Sequence, residues 1–246
     1  RESVERGFAG FTIHYQPQVD TVSGRLCGAE ALARWHCTKY GDVSPGEFIP
    51  LMEQSGLIVP FGQWILSHGM AQCLEWCRSR PDFQISVNLS YLQLSQGDFI
   101  SFLRTALEEN SLDPSRLIME LTETYLAKAE EDTLRLIAQM KELGVKIAMD
   151  DFGVGYSSLF SLKSIPVDVV KIDRRFVKGI TSDPFNATFI RSITDLCHDV
   201  GRKVCLEGVE TKEEYEAVRE LGMEYIQGYY FGRPMSARQF EDRLKE

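Results

Sequence analysis

Eight short strand-like runs, most of them alternating with helical stretches, constrain the fold of this chain more than any other feature. The runs are Phe11 to Gln16, Arg25 to Ala33, Gln84 to Leu89, Leu117 to Leu121, Lys146 to Asp150, Asp168 to Ile172, Lys203 to Glu207 and Glu224 to Gly228. Between them apolar residues recur at helical spacing. Pro60 to Ser79 places Phe61, Trp64, Ile65, His68, Cys73 and Trp76 in rough 3.6 spacing, and Glu130 to Leu143 does the same with Leu134, Ile137, Ala138 and Met140. Gly144, Gly201 and Gly222 directly follow Leu143, Val200 and Leu221, where a helix ends on a left-handed residue before the next strand begins. Eight strands alternating with helices within 246 residues predict a closed (β/α)8 barrel of the TIM type, an α/β fold. No Pro/Gly/Ser-rich linker divides the chain, so a single domain is expected over 1–246. The first connection departs from the pattern. Only Pro17 to Gly24 separates strands one and two, too short for a parallel crossover and suited to a hairpin, so strand one should run antiparallel to strand two.

Charge and composition exclude several classes of function. Lys and Arg number 27 against 36 Asp and Glu, a net charge of −9 that argues against a DNA or RNA polymer or an acidic membrane as partner. An anionic ligand held through metal ions stays compatible with that charge. With 43% hydrophobic and 26% charged residues the chain is not of the disordered class. Apolar runs such as Leu57 to Val59, Ile147 to Met149 or Tyr229 to Phe231 fall far short of the roughly 20 residues of a membrane span. Six cysteines, at 27, 37, 73, 77, 197 and 205, sit inside apolar or helical patterns and read as reduced. Cys73 and Cys77 share one helix, yet no CxxC or nearby His completes a zinc site, and two small core residues are the simpler reading. A location in the cytoplasm, or in the cytoplasmic portion of a membrane-anchored protein, is expected. The chain opens with Arg1-Glu2-Ser3 and shows no basic-then-apolar leader, so it is expected to be a piece of a longer, multidomain protein.

The chemical signal lies in polar residues late in the strands. Glu30 falls in strand two, Asn88 in three, Glu120 in four, Asp150 and Asp151 at the end of five, Lys171 in six, Glu207 in seven and Gln227 in eight. In a barrel such positions converge on the C-terminal mouth, where barrel enzymes keep their active sites. Each has a plain structural reading: a solvated strand end for Glu120, a turn former for Asn88, a rim charge for Lys171, an exposed edge for Gln227. Together those readings fail, because neighbours such as Leu117-Ile118-Met119 and Val169-Val170 mark strands buried on both faces. Carboxylates converging from several strands need a cation among them. Carboxylates plus an amide oxygen favour Mg²⁺ or Mn²⁺ over Zn²⁺. The Asp150-Asp151 pair suggests two ions. His14, His36, His68 and His198 fall in the first strand, beyond a strand end or on helices, which argues against a His-based zinc hydrolase.

These residues sit in motifs that resemble the EAL-domain cyclic-di-GMP phosphodiesterases from about Phe11 to the end. The motifs are Tyr15-Gln16-Pro17, Glu30-Ala31-Leu32-Ala33-Arg34-Trp35, Ser86-Val87-Asn88-Leu89-Ser90, Glu120-Leu121-Thr122-Glu123, Asp150-Asp151-Phe152-Gly153, Gly155-Tyr156-Ser157-Ser158-Leu159, Lys171-Ile172-Asp173, Glu207-Gly208-Val209-Glu210-Thr211 and Gln227-Gly228-Tyr229. The tripeptide Glu30-Ala31-Leu32 alone is uninformative, whereas nine motifs in family order are specific.

The resemblance implies a modified barrel with its first strand antiparallel, and metal-dependent hydrolysis of one phosphodiester of cyclic di-GMP to linear pGpG. It implies that Glu30, Asn88, Glu120 and Asp150 ligate one ion, with Asp150 and Asp151 reaching a second. It also implies Lys171 touching the attacking water, Glu207 as general base or ligand, Gln227 and Asp173 supporting the water network, and Glu123 anchoring the loop after the Asp pair. Gln16, Leu32 and Arg34 match positions that hold the nucleotide. A homodimer and fused sensory or cyclase domains outside this chain are further expectations. Separately from the match, Arg34 offers a planar fork suited to a phosphate or a guanine edge, and Lys171 adds positive charge without a metal.

Two residues depart from the family pattern. Val154 stands where Thr or Ala is usual, and Leu206 precedes Glu207 where Ala is usual. Neither replaces a ligand, and a stiff β-branched residue at 154 bears on loop mobility or dimer contacts. The leading expectation is an active phosphodiesterase. The alternatives are a cyclic-di-GMP receptor that binds without cleaving, and a different metal-dependent barrel enzyme acting on enolates.

Overall fold

A computed structural model describes residues 1–95, 98–127, 129–155 and 159–245. Tyr156, Ser157 and Ser158 of the loop motif lie outside the described residues. Nine strands form one sheet: β1 (Phe11–Asp20), β2 (Leu26–Cys37), β3 (Gly41–Val43), β4 (Gln84–Asn88), β5 (Leu117–Thr122), β6 (Lys146–Phe152), β7 (Val169–Ile172), β8 (Lys203–Glu207) and β9 (Tyr225–Gln227). The order β1-β9-β8-β7-β6-β5-β4-β2-β3, with β1 also pairing β2, closes eight strands into a barrel and leaves β3 as an appendage on β2. Neighbours from β2 through β4 to β9 are parallel, while β1 is antiparallel to both β2 and β9. The expected barrel with an antiparallel first strand is thus the observed one.

Boundaries shifted where tertiary pairing extends an element beyond its apolar run. β1 continues past Gln16 through Pro17 to Asp20, because Gln18, Val19 and Asp20 pair β9 on one side while Gln18 and Val19 also pair β2 on the other. The hairpin is therefore confined to 21–25, closed by the Asp20 carboxylate, which accepts from Ser23 N at 2.8 Å and Ser23 Oγ at 2.6 Å. β2 likewise runs past Ala33 to Cys37, which puts His36 inside a strand, and Trp35 to Cys37 pair with β3, a strand unforeseen in the sequence. Helices were closer to expectation, with Ile58–Cys77 for the Pro60 to Ser79 pattern and Glu131–Glu142 for the Glu130 to Leu143 pattern.

The barrel separates two apolar regions. Outside, helices pack on the strands around rings such as Phe11, which stacks on Trp35 at 5.2 Å and meets Phe61 at 4.9 Å and Phe48 at 5.5 Å. Inside, Ile118, Ala148, Val169 and Cys205 form their own buried layer beside Tyr225. Two positions further along these strands, on the same inward face, stand the polar residues Glu120, Asp150, Lys171, Glu207 and Gln227, which this apolar layer supports from below. All six cysteines are free thiols. Cys73 Sγ and Cys77 Sγ lie 3.9 Å apart and both approach Phe83 O, at 3.9 and 3.5 Å. No helix is long and apolar enough to cross a membrane among the described residues.

Candidate active site at the barrel mouth

Strand register determines which side chains meet at the mouth. Glu30 lies opposite Ser86, Asn88 opposite Glu120, Thr122 opposite Asp150, Glu207 opposite Gln227, and Gln227 opposite Gln18. Glu30 is in the middle of β2, not near its end as the sequence suggested. It still belongs to the mouth, because the parallel pairing of β2 with β4 stops at Ala31↔Val87 and the rest of β2 projects beyond the barrel.

Lys171 is the centre of the site. Its ammonium is 2.6 Å from Glu120 Oε2, 2.7 Å from Glu207 Oε1, and 3.4 Å from both Glu30 Oε2 and Asp150 Oδ1. It is 2% exposed, which rules out the plain alternative of a rim charge. Burial would strip its proton, but Asp150, Glu120, Glu207 and Glu30 outweigh burial and hold its pKa well above the ordinary lysine value. The carboxylates respond unequally. Burial pushes Glu120 well above its ordinary value, and pushes Glu207 up to about 8. Burial also opposes the charge on Glu30, yet Lys171, Gln227 and Asn88 together lower its pKa. Asn88 Nδ2 donates to Glu30 Oε1 at 2.7 Å and Gln227 Nε2 donates to Glu30 Oε2 at 2.7 Å, so this carboxylate is the most firmly held.

A bulge aims the Asp pair. The β6–β7 ladder jumps from Met149↔Val170 to Phe152↔Ile172, and Asp150 and Asp151 occupy the interruption, Asp151 with φ +56°. Burial, Asp150 and Asp173 raise the pKa of Asp151, which shows that these three carboxyl groups share one field. The next residue but one is pinned. Gly153 has φ +94°, and a Cβ there would come within 2.4 Å of Phe176 Cε2. Its N–H donates to Glu123 Oε2 at 3.0 Å, and Glu123 is 2% exposed, a buried acceptor beside the loop. Asp173 caps the turn at 174–176, accepting from Arg175 N at 3.0 Å. Val154 is half-exposed and Leu206 is fully buried in the outer core.

The nucleotide-holding candidates fall in two groups. Gln16 Oε1 accepts from Gln227 Nε2 at 3.2 Å and so joins the mouth network. Leu32 and Arg34 line a neighbouring chamber of about 280 Å³ that also reaches Asn88. Glu53, which sequence reasoning missed, lines it too, with Ser90 Oγ donating to Glu53 Oε1 at 2.6 Å. Gln18 was missed as well. It is buried, donates to Gln227 Oε1 at 2.9 Å and to Ser86 Oγ at 3.4 Å, and its signal was that it shares a strand face with Gln16 two residues earlier.

The donor set fits a hard divalent cation. Four carboxylates around one ammonium leave a formal charge of −3, and two of their oxygens, Glu120 Oε1 and Asp150 Oδ1, are buried with no hydrogen-bond partner. Among the described residues no group of three or more His, Cys, Asp or Glu is already closed to ion-binding spacing, since the carboxylates gather on the ammonium instead.

Comparison with known proteins identifies the family of the chain. The family model described as EAL domain matches residues 1–234. The chain is 39% identical over 240 residues to the bifunctional diguanylate cyclase/cyclic di-GMP phosphodiesterase MucR of Pseudomonas aeruginosa, covering 97% of this chain and 35% of that protein. It is 35% identical over 229 residues to the cyclic di-GMP phosphodiesterase PdeR of Escherichia coli, covering 93% of this chain and 34% of that protein. It thus spans about a third of the length of these curated relatives. A solved structure of the PaMucR phosphodiesterase in complex with c-di-GMP superimposes with a TM-score of 0.90 at 39% identity, covering 98% of this chain and 97% of that one.

Proposed function

The chain belongs to the EAL domain family, and from that premise we propose that it is a divalent-metal-dependent phosphodiesterase that hydrolyses cyclic di-GMP to linear pGpG. The observation that carries this reading is the buried Lys171 ammonium ringed by Glu30, Glu120, Asp150 and Glu207, with two buried carboxylate oxygens, Glu120 Oε1 and Asp150 Oδ1, that accept no hydrogen bond. Mg²⁺ or Mn²⁺, two per site, would be held by Glu30, Asn88, Glu120, Asp150 and Asp151, and when bound would polarise the attacking water and offset phosphate charge. Asn88 is suited to this because its Nδ2 is committed to Glu30, leaving Oδ1 to a cation.

The remaining residues divide the work of an in-line displacement. The oxygen of water forms a bond to phosphorus while the P–O3′ bond breaks and O3′ takes up a proton from solvent, giving a 5′-phosphate and a free 3′-hydroxyl. Glu207, buried beside Lys171, takes the water proton. Lys171 Nζ orients that water and stabilises charge developing on the phosphate oxygens. Gln227, held by Gln18, fixes the Glu30 carboxylate, and Asp173 supports the hydrogen-bond network from its turn. Glu123 holds the backbone after the Asp pair through the Gly153 N–H. Arg34 meets a phosphate, and the adjoining chamber receives one guanine, whose N–H edge suits the Glu53 carboxylate fixed by Ser90.

The domain over 1–246, its homodimer and its fusion to sensory or cyclase domains stand as parts of the same proposal. Incubation with cyclic di-GMP and Mg²⁺ or Mn²⁺, followed by chromatography for pGpG, tests it. Binding of the dinucleotide without cleavage would replace the enzyme by a receptor.

A further inference from the structure

A second concave site lies on the outer face of β1, away from the mouth. Side chains alternate along a strand, so while Gln16 and Gln18 turn inward, Pro17 and Val19 turn out and line a cavity of about 330 Å³. Three arginines open onto it from separate parts of the chain: Arg25 from the β1–β2 hairpin, Arg80 from the segment before β4, and Arg243 from the helix Ala237–Leu244. Two of the guanidinium groups are fixed by backbone carbonyls. Arg80 Nη2 donates to Leu244 O at 3.1 Å and Arg243 Nη2 donates to Phe231 O at 2.9 Å. Among the described residues no Asp or Glu lines the cavity, and neither Arg25 nor Arg80 has a carboxylate in ion-pair contact.

This arrangement is uneconomical unless something fills it. The chain carries 36 acidic side chains against 27 basic ones, yet here the Arg25 and Arg80 guanidinium groups face one space with no carboxylate among its described lining residues. Guanidinium forks present parallel N–H groups that match phosphate oxygens two at a time. Pro17, Val19 and Leu26 supply an apolar wall beside them, and the volume falls in the range of small-molecule sites and is far too small for a polymer. We propose that the cavity binds a small organic phosphate, its dianionic group between Arg25 and Arg80 and its apolar part along Pro17, Val19 and Leu26.

The test is isothermal titration of the whole chain with phenyl phosphate in EDTA, where the metal-free mouth repels anions, with phenol and inorganic phosphate as separate probes. Saturable 1:1 binding of phenyl phosphate, weaker binding of inorganic phosphate and none of phenol are expected. Arg25→Gln should weaken the binding by roughly tenfold or more, the loss expected of one charge-assisted hydrogen bond. Arg25 is exposed on the hairpin, so this variant should unfold like the parent, and amide shifts at Gly24 and Leu26 locate the ligand independently of it. No heat beyond dilution, equal binding by Arg25→Gln, or shifts confined to the mouth would overturn the site. Equal affinity for phenyl and inorganic phosphate would overturn its organic specificity.

Discussion

Replacing Lys171 with Met removes the charge while nearly keeping the volume, and it should unsettle the metal-free protein more than any other single change at the mouth. The two nearest carboxylates, at 2.6 and 2.7 Å, each attract the ammonium by about 6 kcal/mol gross at an effective dielectric of about 20. Desolvation and repulsion among the carboxylates cancel much of this, and breaking a buried pair from one side costs about 3–5 kcal/mol net. The cost should depend on pH. With the ammonium gone Glu30 loses the first of the contacts that lower its pKa, and burial then acts to raise it, so folding takes up more proton in the variant than in the parent. A carboxyl whose folded pKa is raised gives stability that is complete below its unfolded value and is lost as pH rises toward the folded one. The gap between variant and parent should therefore be about 3 kcal/mol at pH 6 and widen toward pH 8, by at most about 1.4 kcal/mol per pH unit for each proton taken up on folding. Urea unfolding in EDTA at pH 6, 7 and 8 measures it, and excess Mg²⁺ should narrow it by returning positive charge to the carboxylates. A gap under about 1 kcal/mol, or one of equal size at all three pH values, would refute the reasoning that Lys171 is the internal counterion.

Other outcomes follow from the same geometry. Glu30→Ala or Asp150→Ala should reduce hydrolysis by at least roughly a thousandfold, with circular dichroism unchanged and Mg²⁺ binding weakened in calorimetry. Glu123→Ala, which frees the Gly153 N–H, should lower kcat about tenfold or more while affecting KM less, as steady-state kinetics would reveal. Gly153→Ala sets a Cβ 2.4 Å from Phe176 Cε2 at a positive φ and should cost about 2–4 kcal/mol in denaturant unfolding. Ca²⁺ in place of Mg²⁺ should support no comparable turnover in a pGpG assay, since its longer bonds and larger ligand number misfit a small all-oxygen site.

The barrel was legible because strand and helix periodicities alternate cleanly, and the antiparallel first strand because eight residues cannot make a parallel crossover. Strand ends were less so. Nothing in Gln16-Pro17-Gln18 announces that the strand runs on, since the stabilisation comes from β9, some 200 residues away in sequence. The site residues were legible as polar interruptions in buried strands, but their mutual arrangement was not. Lys171 was legible as a member of the site but not as its buried centre, because its four partners come from four other strands and only register brings them together. Gln18 and Glu53 escaped because an amide beside a proline and an acid late in a helix have ordinary local explanations, whereas their partners Gln227 and Ser90 are distant.

The reversed first strand also decides how this domain is wired to anything joined to it. Because β1 runs against its neighbours, residues leading into Phe11 arrive at the catalytic pole, where Phe8 lies against Phe61 and Trp64 at ring distances of 5.8 and 5.3 Å. The last helix ends at the other pole, where Leu244 O meets Arg80 ahead of β4. The two ends of the barrel domain therefore lie at opposite ends of the barrel axis. A preceding module would be seated beside the mouth and could act on substrate access through a few residues, whereas a following one would hang from the closed end, with the length of the barrel between it and the chemistry.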